Sequence, residues 1–84
     1  DYPKYVMVRD KQPLESADTI QKKLSLVADQ YESQNISLED GVKVSFESSW
    51  VHIRPSNTEP IIRIFAEAQT KEAAQQLVED IKQI

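Results

Sequence analysis

Between Val42 and Ala68 apolar and polar side chains alternate in three runs, and on both sides of that block apolar residues recur at helical spacing. Alternation fits half-buried strands and a period near 3.6 fits amphipathic helices, so the chain must pack both kinds of element together. Val42, Val44 and Phe46 alternate with Lys43, Ser45 and Glu47. Glu47-Ser48-Ser49 reads as a tight turn. In the next run Trp50, His52 and Arg54 share one face and Val51 and Ile53 the other, and Pro55 ends it because proline donates nothing to a ladder. The third run, residues 61–68, puts Ile62, Ile64 and Ala66 on one side.

Ile20, Leu24, Val27, Ala28 and Tyr31 predict a helix over residues 19–33, with Asp18 as its cap and Gln21 placed to complete a capping-box-like pair. Thr70 is a good cap for a second helix, with Glu72 in its first turn and Ala74, Leu77, Val78, Ile81 and Ile84 along one face. Near the start, Tyr2-Pro3-Lys4 reads as an extended entry and residues 5–9 as a first strand with Val6 and Val8 on one face. Residues 11–17 contain Pro13 and read as a loop, residues 35–41 as a polar connector, and Asp40-Gly41 as a turn. The expected class is α+β: a four-stranded antiparallel sheet with two helices on one face, in the order β-α-β-β-β-α.

A length of 84 residues suits one domain, and 39% apolar with 29% charged residues argues against disorder. The net charge of −4 gives no overall basic footprint for nucleic acid or an anionic membrane. Having no cysteine excludes disulfides, thiolate nucleophiles and cysteine-ligated metals, and a single histidine, His52, excludes multi-histidine clusters. No apolar run is long enough to span a bilayer. No signal peptide opens the chain and neither does a methionine, so residues 1–84 read as one domain excised from something larger.

The chemistry is concentrated in Arg54-Pro55-Ser56-Asn57-Thr58-Glu59-Pro60, followed by Arg63. An oxyanion such as phosphate needs a planar cation, hydroxyl donors and inward backbone N–H groups. Arg54 offers the fork, Ser56 and Thr58 the hydroxyls, and Asn57 an amide donor that tolerates a left-handed turn. The two prolines stiffen the loop and reduce the entropy lost on binding. From Gly41 to Phe65 the formal charge is +1, while the rest of the chain carries −5. The same composition also makes an ordinary turn.

Asp40-Gly41-Val42-Lys43-Val44, Trp50, the loop from Arg54 to Pro60, Arg63 and Glu67-Ala68 together resemble the C-terminal domain of the α-D-phosphohexomutases, as does the Tyr2-Pro3-x-Tyr5 entry. This superfamily includes phosphomannomutase/phosphoglucomutase and phosphoglucosamine mutase. The resemblance covers nearly the whole chain and implies a TATA-binding-protein-like fold. It implies a four-domain cytoplasmic enzyme that interconverts hexose 1-phosphates and 6-phosphates through a bisphosphorylated intermediate. The phosphoserine and a magnesium ion would sit in the first two domains and a sugar-selecting loop in the third. This fourth domain would act as a lid hinged near Tyr2-Pro3. On this reading Arg54, Ser56, Asn57 and Thr58 hold the phosphate not being transferred and Arg63 makes a second-tier contact. The domain alone would hold no metal or catalytic residue and be inactive. Its partners would be the phosphosugar and the other three domains, without nucleic acid or membrane. Asn57 leans slightly toward glucose and mannose phosphates rather than glucosamine phosphate. The rival from another class is a stand-alone ligand- or RNA-binding module.

Other residues read more plainly. His52 is a half-exposed strand residue near the loop, and Trp50 belongs in the core or under the loop. Glu59 is expected to point outward or to orient an arginine. Asp10, Asp18, Asp29 and Glu32 are surface acids without magnesium spacing. Asn35-Ile36-Ser37 matches a glycosylation pattern without a secretory signal to support it.

Overall fold

A computed structural model describes residues 5–38, 41–56 and 59–84. The extended entry and hinge at Tyr2-Pro3, Asp40 of the turn, and Asn57 and Thr58 of the loop lie outside the described residues. The elements are β1 (Val6–Pro13), α1 (Ala17–Gln30), β2 (Asn35–Ser37), β3 (Val42–Ser45), β4 (Trp50–Pro55), β5 (Ile61–Ala68) and α2 (Lys71–Gln83). They form one antiparallel sheet in the order β1-β5-β4-β3-β2, with α1 against β3 and α2 against β1 and β5.

The α+β class and the two helices agree with the sequence reading; the sheet has five strands rather than four. The extra strand, β2, lies in the stretch read as a connector and pairs Ile36 with Val44. Three residues are too few to show alternation. β1 runs on to Pro13 through a stretch read as loop. It is an edge strand, where a missing backbone N–H is tolerated. The first helix starts earlier than expected because Ser16, not Asp18, caps it: Ser16 Oγ accepts from the Thr19 N–H at 3.3 Å. Thr70 caps α2 as anticipated, accepting from the Ala73 N–H at 3.1 Å.

Val42, Val44, Val51, Ile53, Ile62, Ile64, Ala66 and Ala68 all point to the helix side and are buried. There they meet Ile20, Leu24 and Val27 of α1 and Ala74, Val78 and Ile81 of α2. The strict alternation therefore divides the sheet into a sealed face and an open one. Phe46 closes one end of the core edge-on to Tyr31, their ring centroids 5.7 Å apart.

Two polar ties hold the α2 end in place. Lys82 donates to Asp10 of β1 at 2.6 Å, which lowers the Asp10 pKa from its ordinary value. Lys23 of α1 is 5% exposed, and its ammonium donates to the Ile84 main-chain oxygen at 2.7 Å and the Lys82 carbonyl at 3.4 Å. Burial pulls the pKa of Lys23 below the usual lysine value. A cation at the end of α2 meets both the helix dipole and carbonyls that have no partner within the helix. Lys23→Met keeps the apolar stem and removes the donors. It is expected to cost about 1–2 kcal/mol in urea unfolding, as for removing partly buried hydrogen bonds from a charged donor.

Candidate phosphate-binding site

Arg54 lies near the C-terminal end of β4, on the open side of the sheet and exposed. The alternation puts it there, because its neighbour Ile53 is fully buried on the helix side. Antiparallel register sets Arg63 of β5 directly opposite Arg54. On the other side of Arg63 the register sets Lys11 of β1. The sequence-predicted pair Arg54 and Arg63 is thus brought together on one face, next to the loop.

The feet of that loop are pinned by backbone hydrogen bonds. The Ser56 N–H donates to the Ile61 carbonyl at 3.0 Å and the Ile61 N–H to the Glu59 carbonyl at 2.8 Å. From outside, the Leu14 N–H donates to the Pro60 carbonyl at 2.7 Å, tying the loop to the chain beyond β1. Ser56 is half-buried and Glu59 is exposed. His52, Arg54 and Ser56 all have interaction partners. Asn57 and Thr58 complete the predicted set in sequence and lie outside the described residues.

Gly41 supports the site from the β3 side. Its φ is +78°, and a Cβ there would overlap the Ile53 carbonyl oxygen and lie 3.2 Å from the Arg54 Cα. The sequence marks Gly41 as a turn residue; its second role, close approach to the strand that carries Arg54, needs the three-dimensional pairing to be seen.

His52 stands on the same face as Arg54, half-buried beside Phe65 with ring centroids 6.4 Å apart. Trp50 is neither in the core nor under the loop. It is half-buried on the open face, four residues back along β4 from Arg54, and the Lys43 ammonium lies 4.8 Å from its ring centroid. The core reading fails because Trp50 keeps the parity of His52 and Arg54, and that face has no helix on it. Sequence reasoning misses Lys11 as a neighbour of the site because residues 11–17 read as loop, and Arg9 because the pairing of β1 with β5 is not visible in sequence. Asp10, Lys11 and Gln12 are all polar, so no alternation marks the longer strand; its pairing with β5 does. Among the described residues no group of three or more histidine or acidic side chains is gathered for a metal ion.

A sequence profile described as "Phosphoglucomutase/phosphomannomutase, C-terminal domain" matches residues 4–84. The chain belongs to this family. A probable phosphoglucosamine mutase of Methanothermobacter thermautotrophicus is 40% identical over 84 residues, covering 94% of this chain and 19% of its own. A phosphoglucomutase/phosphomannomutase of Thermococcus kodakarensis is 38% identical over 80 residues, covering 94% of this chain and 17% of its own. A phosphoglucosamine mutase of Methanocaldococcus jannaschii is 39% identical over 82 residues, covering 94% of this chain and 18% of its own. The phosphohexomutase C-terminal domain thus spans about a fifth of the length of the relatives it matches.

Proposed function

We propose that this domain grips the phosphate group of a hexose phosphate that is not being transferred, within a larger phosphohexomutase. Arg54, Ser56, Asn57 and Thr58 are the holding residues and Arg63 is the supporting cation. The observation that carries this reading is the Arg54–Arg63 register pair on the open face beside a loop pinned at both feet. Two like charges directly opposite in a sheet are unfavourable by themselves, and a bound dianion reverses the sign of that term.

Holding the distal phosphate makes and breaks no bond; it orients the sugar for in-line phosphoryl transfer. A phosphate grip is also indifferent to which end of the sugar presents the group, so one site accepts both orientations. The phosphoserine, a magnesium ion and the sugar-selecting loop belong, on this reading, to the other three domains of a cytoplasmic enzyme, and the domain alone is inactive.

Phosphoglucomutase/phosphomannomutase activity is the first reading of the sugar. Glucosamine phosphate is the second, and the names of the relatives favour it: the proteins from Methanothermobacter and Methanocaldococcus are both phosphoglucosamine mutases. Titration of the isotope-labelled chain with hexose 6-phosphate, followed by NMR, tests the grip. Shifts centred on residues 52–56 and Arg63 are expected, with a Kd of about a millimolar or weaker because one domain supplies only part of the contacts. Shifts scattered over the helices instead would show that the loop is not an anion site.

A further inference from the structure

The helices seal one face of the sheet and leave the other uncovered. Alternation puts large side chains on that open face. Met7 of β1 is 43% exposed, and Tyr5 just before the strand is 48% exposed. Trp50 and His52 of β4 and Phe65 of β5 are half-buried on the same side. Register draws them into one patch: Met7, Glu67 and Trp50 stand opposite one another across three strands, and so do Arg9, Phe65 and His52. Tyr5 joins Trp50 and Glu67 around a shallow recess of about 270 Å³. Contiguous aromatic and thioether surface of this kind marks a place that another surface covers.

Position and size together say what covers it. Arg54 and Arg63 stand opposite each other at the loop end of this same face, and His52 and Phe65 are the next outward residues along their strands. A phosphate gripped there leaves the sugar pointing at whatever supplies the transfer chemistry, which in the proposed function is another domain of the mutase. That domain has to come up to the same face, about one hexose away from Arg54. The relatives are long enough to supply it, since this domain spans 17–19% of their length. Five strands about 4.8 Å apart, each showing about six residues at 3.4 Å, give a face of roughly 19 Å by 20 Å, or about 400 Å² in flat projection. A stable dimer of separate chains needs about 800 Å² from each partner. Contacts between domains of one chain take about 300–750 Å² from each side, because the tether supplies effective concentration. The face therefore suits a tethered neighbour and is too small for a second copy.

We propose that the patch of Tyr5, Met7, Trp50 and Phe65 is the surface on which another domain of the same mutase polypeptide docks. The assignment rests on the phosphate-grip reading for where that domain stands. The docking surface is apolar, to match the aromatic rings and Met7. It carries a hydrogen-bond donor facing Glu67, because a carboxylate covered between Met7 and Trp50 without one would be costly.

The test reads exposure at single introduced thiols, since the chain has no cysteine of its own. Met7→Cys on the open face and Leu26→Cys on α1 are made in the 84-residue chain and in the full-length mutase to which we assign this domain. Both positions are exposed, so neither substitution opens a core cavity. Alkylation by N-ethylmaleimide is followed by mass spectrometry of the peptide that contains the thiol. Met7→Cys should react about tenfold or more slowly in the mutase than in the 84-residue chain, and Leu26→Cys within about twofold. Tyr5→Cys, also exposed, gives the same reading should Met7→Cys disturb β1. Equal rates at Met7→Cys in the two proteins overturn the proposal, and so does equal slowing at both positions, which means general shielding. Slowing that grows with the concentration of the 84-residue chain alone makes a second copy the occupant and overturns it. Protection of the 84-residue chain by a single-stranded oligonucleotide makes the face a nucleic-acid surface and also overturns it. The rates are measured without sugar phosphate, so the two readings fail separately. Protection of Met7→Cys with no phosphate response in the NMR titration removes the grip and leaves the docking face standing; a phosphate response without protection does the reverse.

Discussion

Arg54→Ala, made in the full-length mutase to which we assign this domain, is expected to lower kcat/KM by about 2–4 kcal/mol, or roughly 30- to 900-fold. That magnitude corresponds to removing one charge-assisted hydrogen-bonding group from an otherwise intact site. Arg54 is exposed and faces away from the core, so truncating it opens no cavity. It removes the like-charge opposition to Arg63 together with Arg54's own exposed interactions, so stability should change by no more than about 1 kcal/mol. Activity therefore falls far more than stability, which a general folding defect does not do. Arg54→Lys should recover only part of the activity, because an ammonium keeps the charge without the planar two-donor fork. The assays are steady-state kinetics with a hexose 1-phosphate and thermal unfolding of the same preparations. A wild-type kcat/KM in the alanine variant would remove Arg54 from the site.

What depends on local pattern is mostly legible in the sequence. Alternation in residues 62–68 and in Trp50–Arg54 is enough to place Ile53 and Ile64 in the core and Arg54 outside it, and the structure has them so. The cap at Thr70 is legible because a hydroxyl precedes a clean helical stripe. The cap of α1 is less so: Ser16 and Asp18 both suit the role, and the choice depends on where β1 releases the chain. β1 itself reads too short, since Pro13 suggests a loop unless the strand is known to lie at an edge. That misreading hides Lys11 from the site. The direct opposition of Arg54 and Arg63 depends on the loop length between β4 and β5, which sets register, and sequence spacing alone does not show it. The net charge misleads in the same way: −4 is a sum over a sheet face rich in cations and acidic residues that lie mostly outside the helices.

Gly41→Ala should destabilise the domain by about 2–5 kcal/mol, combining roughly 1–2 for a left-handed backbone and 1–3 for overpacking. Both terms act because φ is +78° and the new methyl group would run into the Ile53 carbonyl oxygen, a backbone atom that cannot swing aside. The displacement falls on the last residues of β4 before the phosphate loop, at Ile53 and Arg54, so the damage should extend beyond stability. Val27→Ala supplies the comparison. Val27 is fully buried on α1, and its truncation costs stability through a cavity far from Arg54's face of the sheet. Under conditions where both variants are fully folded, Val27→Ala should keep the wild-type response to hexose 6-phosphate at residues 52–56. Gly41→Ala should weaken it, because Arg54 starts from a shifted strand. Urea unfolding measures the first effect and the same NMR titration the second. If Gly41→Ala unfolds early yet binds as the wild type does once folded, Gly41 serves the fold alone. If it loses neither stability nor binding, the close approach of β3 to the end of β4 is not a constraint on this domain.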